Sequence, residues 1–244
     1  MDLVCPGCDR SYPVQDGILM AMGELSGKNR IAEAFYNGPL FEKFRFKEQL
    51  FLWFNGGLTG ARRQILRHLP PLAGGRLLEV GIGDGDNVGL LPRGVQLAGI
   101  DIARRRLRRC RDRWNKRPLT LALAEAERIP FANGIFDAVL CVGGFNFFSD
   151  PARAIEEMVR VTRSGGRIVV ADEVPNFHRY GWGHRIGVAA LDRWLMRRWF
   201  GAEFCEMVLT NQIDPGRLAG KTLLRLQLHR IWRGYGYCLV GSVP

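Results

Sequence analysis

The chain has 244 residues, of which 47% are hydrophobic, and a formal net charge of +11. This length suits one large domain, or one domain with a small appendage, and supplies enough apolar residues for a core. No uncharged apolar run reaches 18 residues, which excludes a transmembrane helix, and the first residues lack the pattern of a signal peptide. Six dispersed cysteines favour reduced thiols, so we expect a cytoplasmic protein without a disulfide framework.

Residues 1–24 contain a C-x-x-C pair, Cys5 and Cys8, ahead of an alternating apolar run. Structural zinc needs four ligands, and the other four cysteines share no such spacing, so we predict no metal in a single chain. A zinc ion shared between two chains stays an alternative. We expect a hairpin that packs Tyr12, Val14 and Ile18 on the main domain.

Residues 25–70 are predicted to be helical, with breaks at 37–39 and 55–57 where asparagine and glycine cluster. The segment 41–54 is rich in aromatic residues, most of which we assign to core packing. Tyr36 is the one functional candidate here, because a buried phenol needs a polar partner.

Residues 77–87, with the sequence LLEVGIGDGDN, contain the strongest local pattern of the chain. The apolar start predicts a short buried strand, and Gly81, Gly83 and Gly85 permit a tight turn that approaches a ligand closely. A strand, a glycine turn and a following helix form the nucleotide-binding unit of doubly wound α/β folds.

The acidic residues of this turn indicate which ligand it holds. The dinucleotide fingerprint G-x-G-x-x-G would place glycine where Asp86 stands. Glu79, Asp84 and Asp86 also make the loop acidic, which disfavours a phosphate and suits a sulfonium with an α-ammonium group. We therefore infer S-adenosylmethionine as the cofactor.

Two more predicted strands also end at carboxylates. Residues 95–101 end at Asp101, where an α/β fold places the acid that accepts hydrogen bonds from ribose hydroxyls. Residues 119–124 lead into Glu125, placed to accept from the adenine amino group, with the Ala126 amide donating to a ring nitrogen. Each acid alone is typical of a solvated loop, but three at successive strand ends indicate a site.

A strongly basic run, residues 104–117, follows Asp101 directly. We interpret it as the solvated face of a helix, with Leu107, Cys110 and Trp114 as its buried stripe. The alternative is a basic surface for RNA or anionic lipid headgroups.

The fourth strand, residues 136–141, ends at Val142 and the loop that follows it. In open α/β sheets, ligands lie beyond the carboxyl ends of the strands. The glycines at 143 and 144 allow close approach, so we predict that Phe145, Asn146 and Phe147 shape the substrate pocket.

The fifth strand ends at residues 171–174 and supplies two candidate bases, Glu173 and His178. The segment 181–200 mixes tryptophan with arginine. We interpret it as a helix of a substrate cap spanning 175–220, with peripheral docking on a membrane as the alternative. Two alternating runs within 226–240 predict a closing hairpin whose last strand is antiparallel.

In order and spacing, these motifs resemble those of class I S-adenosylmethionine-dependent methyltransferases, in the branch of the ubiquinone/menaquinone C-methyltransferases. The resemblance rests on EVGIGDG at 79–85, GID at 99–101, AEAERIPF at 124–131, FDAV at 136–139 and VTRSGGRIVVAD at 161–172. It implies a doubly wound, Rossmann-like, seven-stranded and mostly parallel sheet within 25–244, with residues 25–70 as a helical lid. It also implies that residues 1–24 are a shortened form of the zinc ribbon that precedes many such domains.

The resemblance further implies how this chain holds its cofactor. Glu79 and Gly81 would hold the methionine end, Asp101 the ribose, Ile102 one adenine face, and Glu125 with Ala126 the adenine edge. Gly83, Val142 and Tyr36 complete the set of cofactor-binding residues. Glu125 departs from the aspartate usual in this branch, although the longer side chain still reaches.

These observations predict methyl transfer to a small, aromatic or lipid-like molecule. Two alternatives remain at this point: an RNA methyltransferase that uses the basic surface, and a non-catalytic partner subunit of the same fold. The acceptor atom and the oligomeric state are not determined by the sequence.

Overall fold

The structure is a computed structural model that describes residues 2–4, 11–43, 45, 53, 55–175 and 189–244. Its centre is one sheet in which ten strands lie in the order β1-β2-β3-β6-β5-β4-β7-β8-β10-β9. The strands are β1 Asp2–Val4, β2 Ser11–Gln15, β3 Ile18–Met20, β4 Arg76–Val80, β5 Gln96–Asp101, β6 Leu119–Leu123, β7 Phe136–Val142, β8 Thr162–Glu173, β9 Leu224–Ile231 and β10 Gly236–Ser242.

Strands β4 to β10 form the predicted seven-stranded, mostly parallel sheet. The run β6-β5-β4-β7-β8 is parallel throughout, and the last strand, β10, lies antiparallel between β8 and β9. The doubly wound fold class predicted from the sequence is therefore confirmed. Because the parallel strands point the same way, β4, β5, β6, β7 and β8 all end at one edge of the sheet.

The N-terminal hairpin extends this sheet, which the sequence had not indicated. Strand β3 pairs in parallel with β6, with Ile18 opposite Leu121, and β2 and β1 continue outward in antiparallel order. Ile18 is buried, and Tyr12 packs against the core. The hairpin thus covers the edge of β6 through main-chain pairing as well as side-chain packing. Cys5 and Cys8 lie outside the described residues.

Helices cover both faces of the sheet. In the described part of the chain they are α1 Gly27–Asn37, α2 Gly57–Leu66, α3 Arg104–Arg113, α4 Pro151–Val161, α5 Ala189–Phe200, α6 Ala202–Leu209 and α7 Pro215–Ala219. Helices α2 and α3 bury Ile65 and Leu107 on one face, and α4 buries Met158 on the other. Helices α1, α5 and α6 form a third apolar cluster. Within the segment 25–70, α2 therefore packs into the core of the sheet, whereas α1 belongs to the third cluster.

The expected helix after the glycine turn is not formed. Residues 81–95 connect β4 to β5 with turns and a single 3₁₀ turn, Val88–Leu90. Gly89, Pro92 and Gly94 disfavour a longer helix in so short a connection. This part of the sequence prediction was wrong.

Trp114 takes up the space left by the missing helix. Its indole N–H donates to the Gly85 carbonyl at 2.9 Å, and a Cβ on Gly85 or Gly89 would lie 2.7 or 2.6 Å from its ring. Arg117 donates to the carbonyls of Val88 and Pro92 at 2.5 and 2.7 Å. The end of α3 thus holds the shortened connection.

Candidate active site

The glycine turn forms the floor of a cavity at the carboxyl edge of the sheet. Gly81 and Gly83 adopt φ of 73° and 55°, a region that favours glycine. The amides of Gly81 and Ile82 both donate to the Ile100 carbonyl, which fixes the turn against β5. A Cβ added at Gly81 would meet no atom within 4 Å, so this backbone faces open space. The turn can therefore approach a ligand closely.

Glu79 is the most unusual carboxylate of the cavity. It is 2% exposed, and its Oε1 accepts from Asn87 Nδ2 at 2.6 Å. Its Oε2 has no hydrogen-bond partner among the described residues. Burial raises the pKa of Glu79 to about 7. A buried oxygen without a donor is costly, so this atom fits a cationic or N–H group of a ligand.

Asp101 is held at the end of β5 by the backbone. Its Oδ2 accepts from the Gly83 amide at 2.8 Å, and its Oδ1 accepts from the Ala103 amide at 2.7 Å. Burial raises the pKa of Asp101 despite these two donors. Each oxygen keeps a further lone pair, so the carboxylate can still accept from ribose hydroxyls.

The other two acids of the turn are neutralised by arginines. Asp84 is paired with Arg45 and also lies 3.0 Å from Arg106 Nε, while Arg113 Nη1 lies 2.7 Å from Asp86. The expectation of an acidic loop that repels phosphate was therefore wrong for these two residues. The sequence could not show it, because Arg45 approaches from the segment that precedes α2. Among the carboxylates at the ends of β4 and β5, Glu79 and Asp101 form no ion pair with a described residue and are available to a ligand.

At the predicted adenine end, the acidic residue that lines the cavity is not the one predicted. Ile102 and Ala126 line the cavity as expected, whereas Glu125 does not; Glu127 lines it instead. Both carboxylates are bound by Asn29, whose Nδ2 donates at 3.1 Å to Glu125 Oε2 and to Glu127 Oε1. The direct adenine contact assigned to Glu125 stays a prediction and requires this amide to exchange partners.

Asn29 also fastens α1 to the rest of the domain. It is 2% exposed, and it exchanges two 3.0 Å hydrogen bonds with Ser149, from its backbone amide to Ser149 Oγ and from the Ser149 amide to its Oδ1. At the other end of the helix, Asn37 Oδ1 accepts from the amide of Arg105 in α3. Helix α1 is therefore hydrogen-bonded to the segments that follow β5, β6 and β7. This role of Asn29 could not be predicted from the sequence, because a single asparagine in a helical segment belongs to no recognisable motif.

The remaining wall is aromatic. Tyr36 lines the cavity and packs edge-on against Phe35 and Phe41, with ring centroids 5.4 and 5.0 Å apart. Phe204 stacks on Phe35 at 4.0 Å and also lines the cavity. Helices α1, α5 and α6 thus supply an apolar surface opposite the glycine turn.

The loop after β7 is arranged differently from the sequence prediction. Val142 lines the cavity, but Phe145 and Asn146 are buried behind it and Phe147 and Phe148 line it in their place. The 3₁₀ turn Phe145–Phe147 turns the first two side chains into the core. Phe147 therefore lines the cavity as predicted, whereas the assignment of Phe145 and Asn146 to the lining was wrong.

Asn146 instead anchors this loop to β8. Its backbone amide donates to Asp172 Oδ2 at 2.9 Å, and its Nδ2 donates to the Glu173 carbonyl at 2.7 Å. Burial, and then the neighbouring Glu173 carboxylate, raise the pKa of Asp172 well above its usual range. The Asp172 carboxyl therefore ionises less readily than an exposed aspartate. Glu173 lines the cavity, so the one candidate base that the structure describes faces the predicted acceptor end. His178 lies outside the described residues.

The basic helix α3 is engaged within the chain rather than simply solvated. Arg108 bonds Asp16 of the N-terminal hairpin at 2.8 Å, and Arg104 Nη2 donates to Gln15 Oε1 at 2.6 Å. Arg106 is buried beneath Asp84 with its guanidinium 4.3 Å from the Phe41 ring centroid. The predicted buried stripe is confirmed for Leu107 and Cys110. These contacts weaken the case for a free RNA-binding surface on this helix.

Among the described residues, no group of three or more histidine, cysteine, aspartate or glutamate side chains is arranged to hold a metal. The same residues contain no helix that could cross a bilayer. Cys110, Cys141, Cys205 and Cys238 are buried free thiols, in core elements as expected.

Residues 78–170 match the family model described as a methyltransferase domain. This part of the chain, from β4 into β8, is therefore similar to methyltransferase domains, as the sequence motifs implied. Phosphatidylethanolamine N-methyltransferase of Cereibacter sphaeroides is 32% identical over 115 residues, covering 46% of this chain and 56% of that protein. The ubiquinone/menaquinone biosynthesis C-methyltransferase UbiE of Geotalea uraniireducens is 30% identical over 120 residues, covering 46% and 51%. The chain thus spans about half the length of these curated relatives.

Solved structures share the fold of this chain. A chain from the complex of the Haloferax volcanii Trm112 methyltransferase activator with a methyltransferase superposes with a TM-score of 0.59 at 19% identity, covering 90% of this chain and all of that one (100%). A SAM-dependent methyltransferase from Thermotoga maritima gives 0.57 at 19% identity, covering 88% and 99%. At 19% identity, this similarity shows a shared fold but does not indicate the substrate.

Proposed function

We propose that this chain transfers a methyl group from S-adenosylmethionine to a small lipid-like or aromatic acceptor. One observation carries the proposal. One cavity combines a glycine floor, the Glu79 and Asp101 carboxylates, which form no ion pair with a described residue, and a wall of aromatic rings. The polar half suits the cofactor, and the aromatic half suits an apolar acceptor.

In this proposal the chain's own residues hold each part of the cofactor. Glu79 Oε2 receives the α-ammonium group, and Asp101 accepts from the ribose hydroxyls. Arg62 of α2 also lines the cavity, and its charge acts on Glu79, so it is available for the methionine carboxylate. Ile102 and Ala126 cover the adenine.

The bound cofactor supplies a methyl group on a sulfonium, an already activated leaving group. The protein then has to align the acceptor and exclude water, which the aromatic wall accomplishes. Glu173 is placed to take the proton that the acceptor loses, because it is the carboxylate that lines the cavity beside Phe147 and Phe148.

The lining of the cavity and the names of the relatives both support a lipid-like or aromatic acceptor. Phosphatidylethanolamine and the ubiquinone/menaquinone precursors named for the two relatives are both lipid-like. Seven aromatic side chains line the cavity: Phe35, Tyr36, Phe41, Phe147, Phe148, Phe200 and Phe204. Such a lining favours an acceptor with an apolar body over a nucleic acid.

The test is methyl transfer from radiolabelled S-adenosylmethionine by the purified chain. We expect label in the organic phase of a total lipid extract, and loss of that label with Glu173→Gln while cofactor affinity is kept. Label in RNA would favour the RNA methyltransferase alternative. Absence of cofactor binding in calorimetry would favour the non-catalytic subunit and contradict the proposal.

A further inference from the structure

Helix α5 presents an unusual apolar face to solvent. Leu191 and Trp194 are 45% and 62% exposed, one turn apart, and Trp199 near the end of the helix is 38% exposed. The helices of a globular domain ordinarily turn such residues inward and leave the outer face polar. The exposed side of α5 therefore needs a different explanation from core packing.

The opposite side of the same helix is buried. Met196 and Phe200 are buried in the cluster with Phe204 of α6, and Phe200 lines the active-site cavity. At 100° per residue, Leu191 and Trp194 lie on the side of the helix opposite to Met196. A rotation of α5 that buried them would remove Phe200 from the cavity.

The charged residues around this face indicate what binds to it. Arg193, Arg197 and Arg198 are all exposed on α5, and the whole chain carries a net charge of +11. Tryptophan and leucine insert at the boundary between headgroups and acyl chains, while arginine keeps its guanidinium at the phosphates. Each cation near an anionic surface adds to the attraction.

We propose that the exposed face of α5, defined by Leu191, Trp194, Arg197 and Arg198, docks on the surface of an anionic lipid bilayer. Because Phe200 of the same helix lines the cavity, docking brings the aromatic wall next to the lipid phase. This inference concerns binding to a surface and does not require that the proposed methyl transfer be correct.

The experiment measures co-sedimentation of the purified full chain with vesicles. Vesicles of phosphatidylcholine alone are compared with vesicles that also contain phosphatidylglycerol. We expect binding to the anionic vesicles only, a blue shift of tryptophan fluorescence on binding, and weaker binding as salt is raised. Equal binding to both kinds of vesicle, or to neither, would overturn the proposal.

Two pairs of variants separate this face from general surface properties. The double variant L191S/W194S should weaken vesicle binding by at least about tenfold. The control L224S/L228S removes two side chains of similar exposure (55% and 58%) from β9 and should leave binding unchanged. The triple variant R193Q/R197Q/R198Q should weaken binding more than R217Q/K221Q/R230Q, which removes the same charge elsewhere.

Two further measurements keep the result interpretable. Thermal unfolding and affinity for adenosylhomocysteine should be unchanged in L191S/W194S, since both side chains are exposed and neither lines the cavity. Light scattering without vesicles reports self-association. If this variant converts a dimer into a monomer and the wild type does not bind vesicles, the face belongs to a second copy of the chain and the proposal is wrong.

Discussion

The two halves of the cavity are built by different means. In the cofactor half, Asp101 and the glycine turn are fixed by main-chain hydrogen bonds at the ends of β4 and β5. In the acceptor half, side chains from α1, α5 and α6 meet through ring contacts among themselves. Hydrogen bonds to a strand end fix position over short sequence distances, whereas aromatic packing depends on helices from distant parts of the chain. We therefore expect substitutions in the two halves to separate cofactor affinity from acceptor selectivity.

The largest effect is expected for Asp101→Ala. Loss of a charge-assisted hydrogen bond costs about 2 kcal/mol, or roughly a 30-fold weaker affinity for adenosylhomocysteine in calorimetry. Asp137→Ala is a matched control, because Asp137 also accepts from a backbone amide, that of Arg76 at 2.7 Å, but at the start of β7. An unchanged affinity in Asp101→Ala would remove the ribose assignment and the distinction between the halves.

Glu79 should make cofactor binding depend on pH. Its pKa of about 7 means that the carboxyl is mainly neutral below that pH and ionised above it. The ionised form attracts the α-ammonium group, so affinity should rise about tenfold between about pH 6 and 8. Glu79→Gln should remove this part of the dependence. An identical slope in both proteins would contradict the assignment.

The same shift predicts the opposite trend for stability without ligand. The folded-state pKa of Glu79 is above the ordinary glutamate value of 4.5, so its contribution to the free energy of unfolding is present below about pH 4.5. That contribution is lost as the pH rises through about 7. The Glu79→Gln variant should lack this loss in denaturant titrations.

Asn29→Ala tests whether α1 must be tied to the adenine end. It removes the donor shared by Glu125 and Glu127 and the two hydrogen bonds with Ser149. We expect cofactor affinity to fall about fivefold, equivalent to about 1 kcal/mol. The control Asn133→Ala removes an exposed side-chain contact with Arg160, outside the cavity. A higher affinity in Asn29→Ala would instead mean that Asn29 competes with adenine for Glu125.

The smallest effect is expected for Trp114→Phe. The change keeps most of the ring but removes the hydrogen bond to Gly85, so the turn should loosen and cofactor affinity should fall about threefold. Trp232→Phe is the matched control, because that indole donates to the Ala61 carbonyl away from the cavity. Equal effects of the two variants would show general destabilisation rather than support of the turn.

The positions of the central strands along the chain, the glycine turn and the acids at 79 and 101 could be predicted because each depends on residues adjacent in sequence. Hydrophobic patterning identifies a strand, and a parallel sheet brings the carboxyl ends of its strands together. The antiparallel last strand followed from the same reasoning, through the alternating runs within 226–240.

Other features depended on contacts that only the folded chain makes. Arg45 neutralises Asp84, Asn29 engages Glu125, and Trp114 fills the space of the absent helix, each over a separation of 29 to 96 residues. Phe145 and Asn146 were misplaced because a single 3₁₀ turn decides which side chains face the cavity. Local sequence specifies backbone periodicity and turn chemistry, but the partner of a polar side chain and the face that a helix buries are set by packing between distant elements.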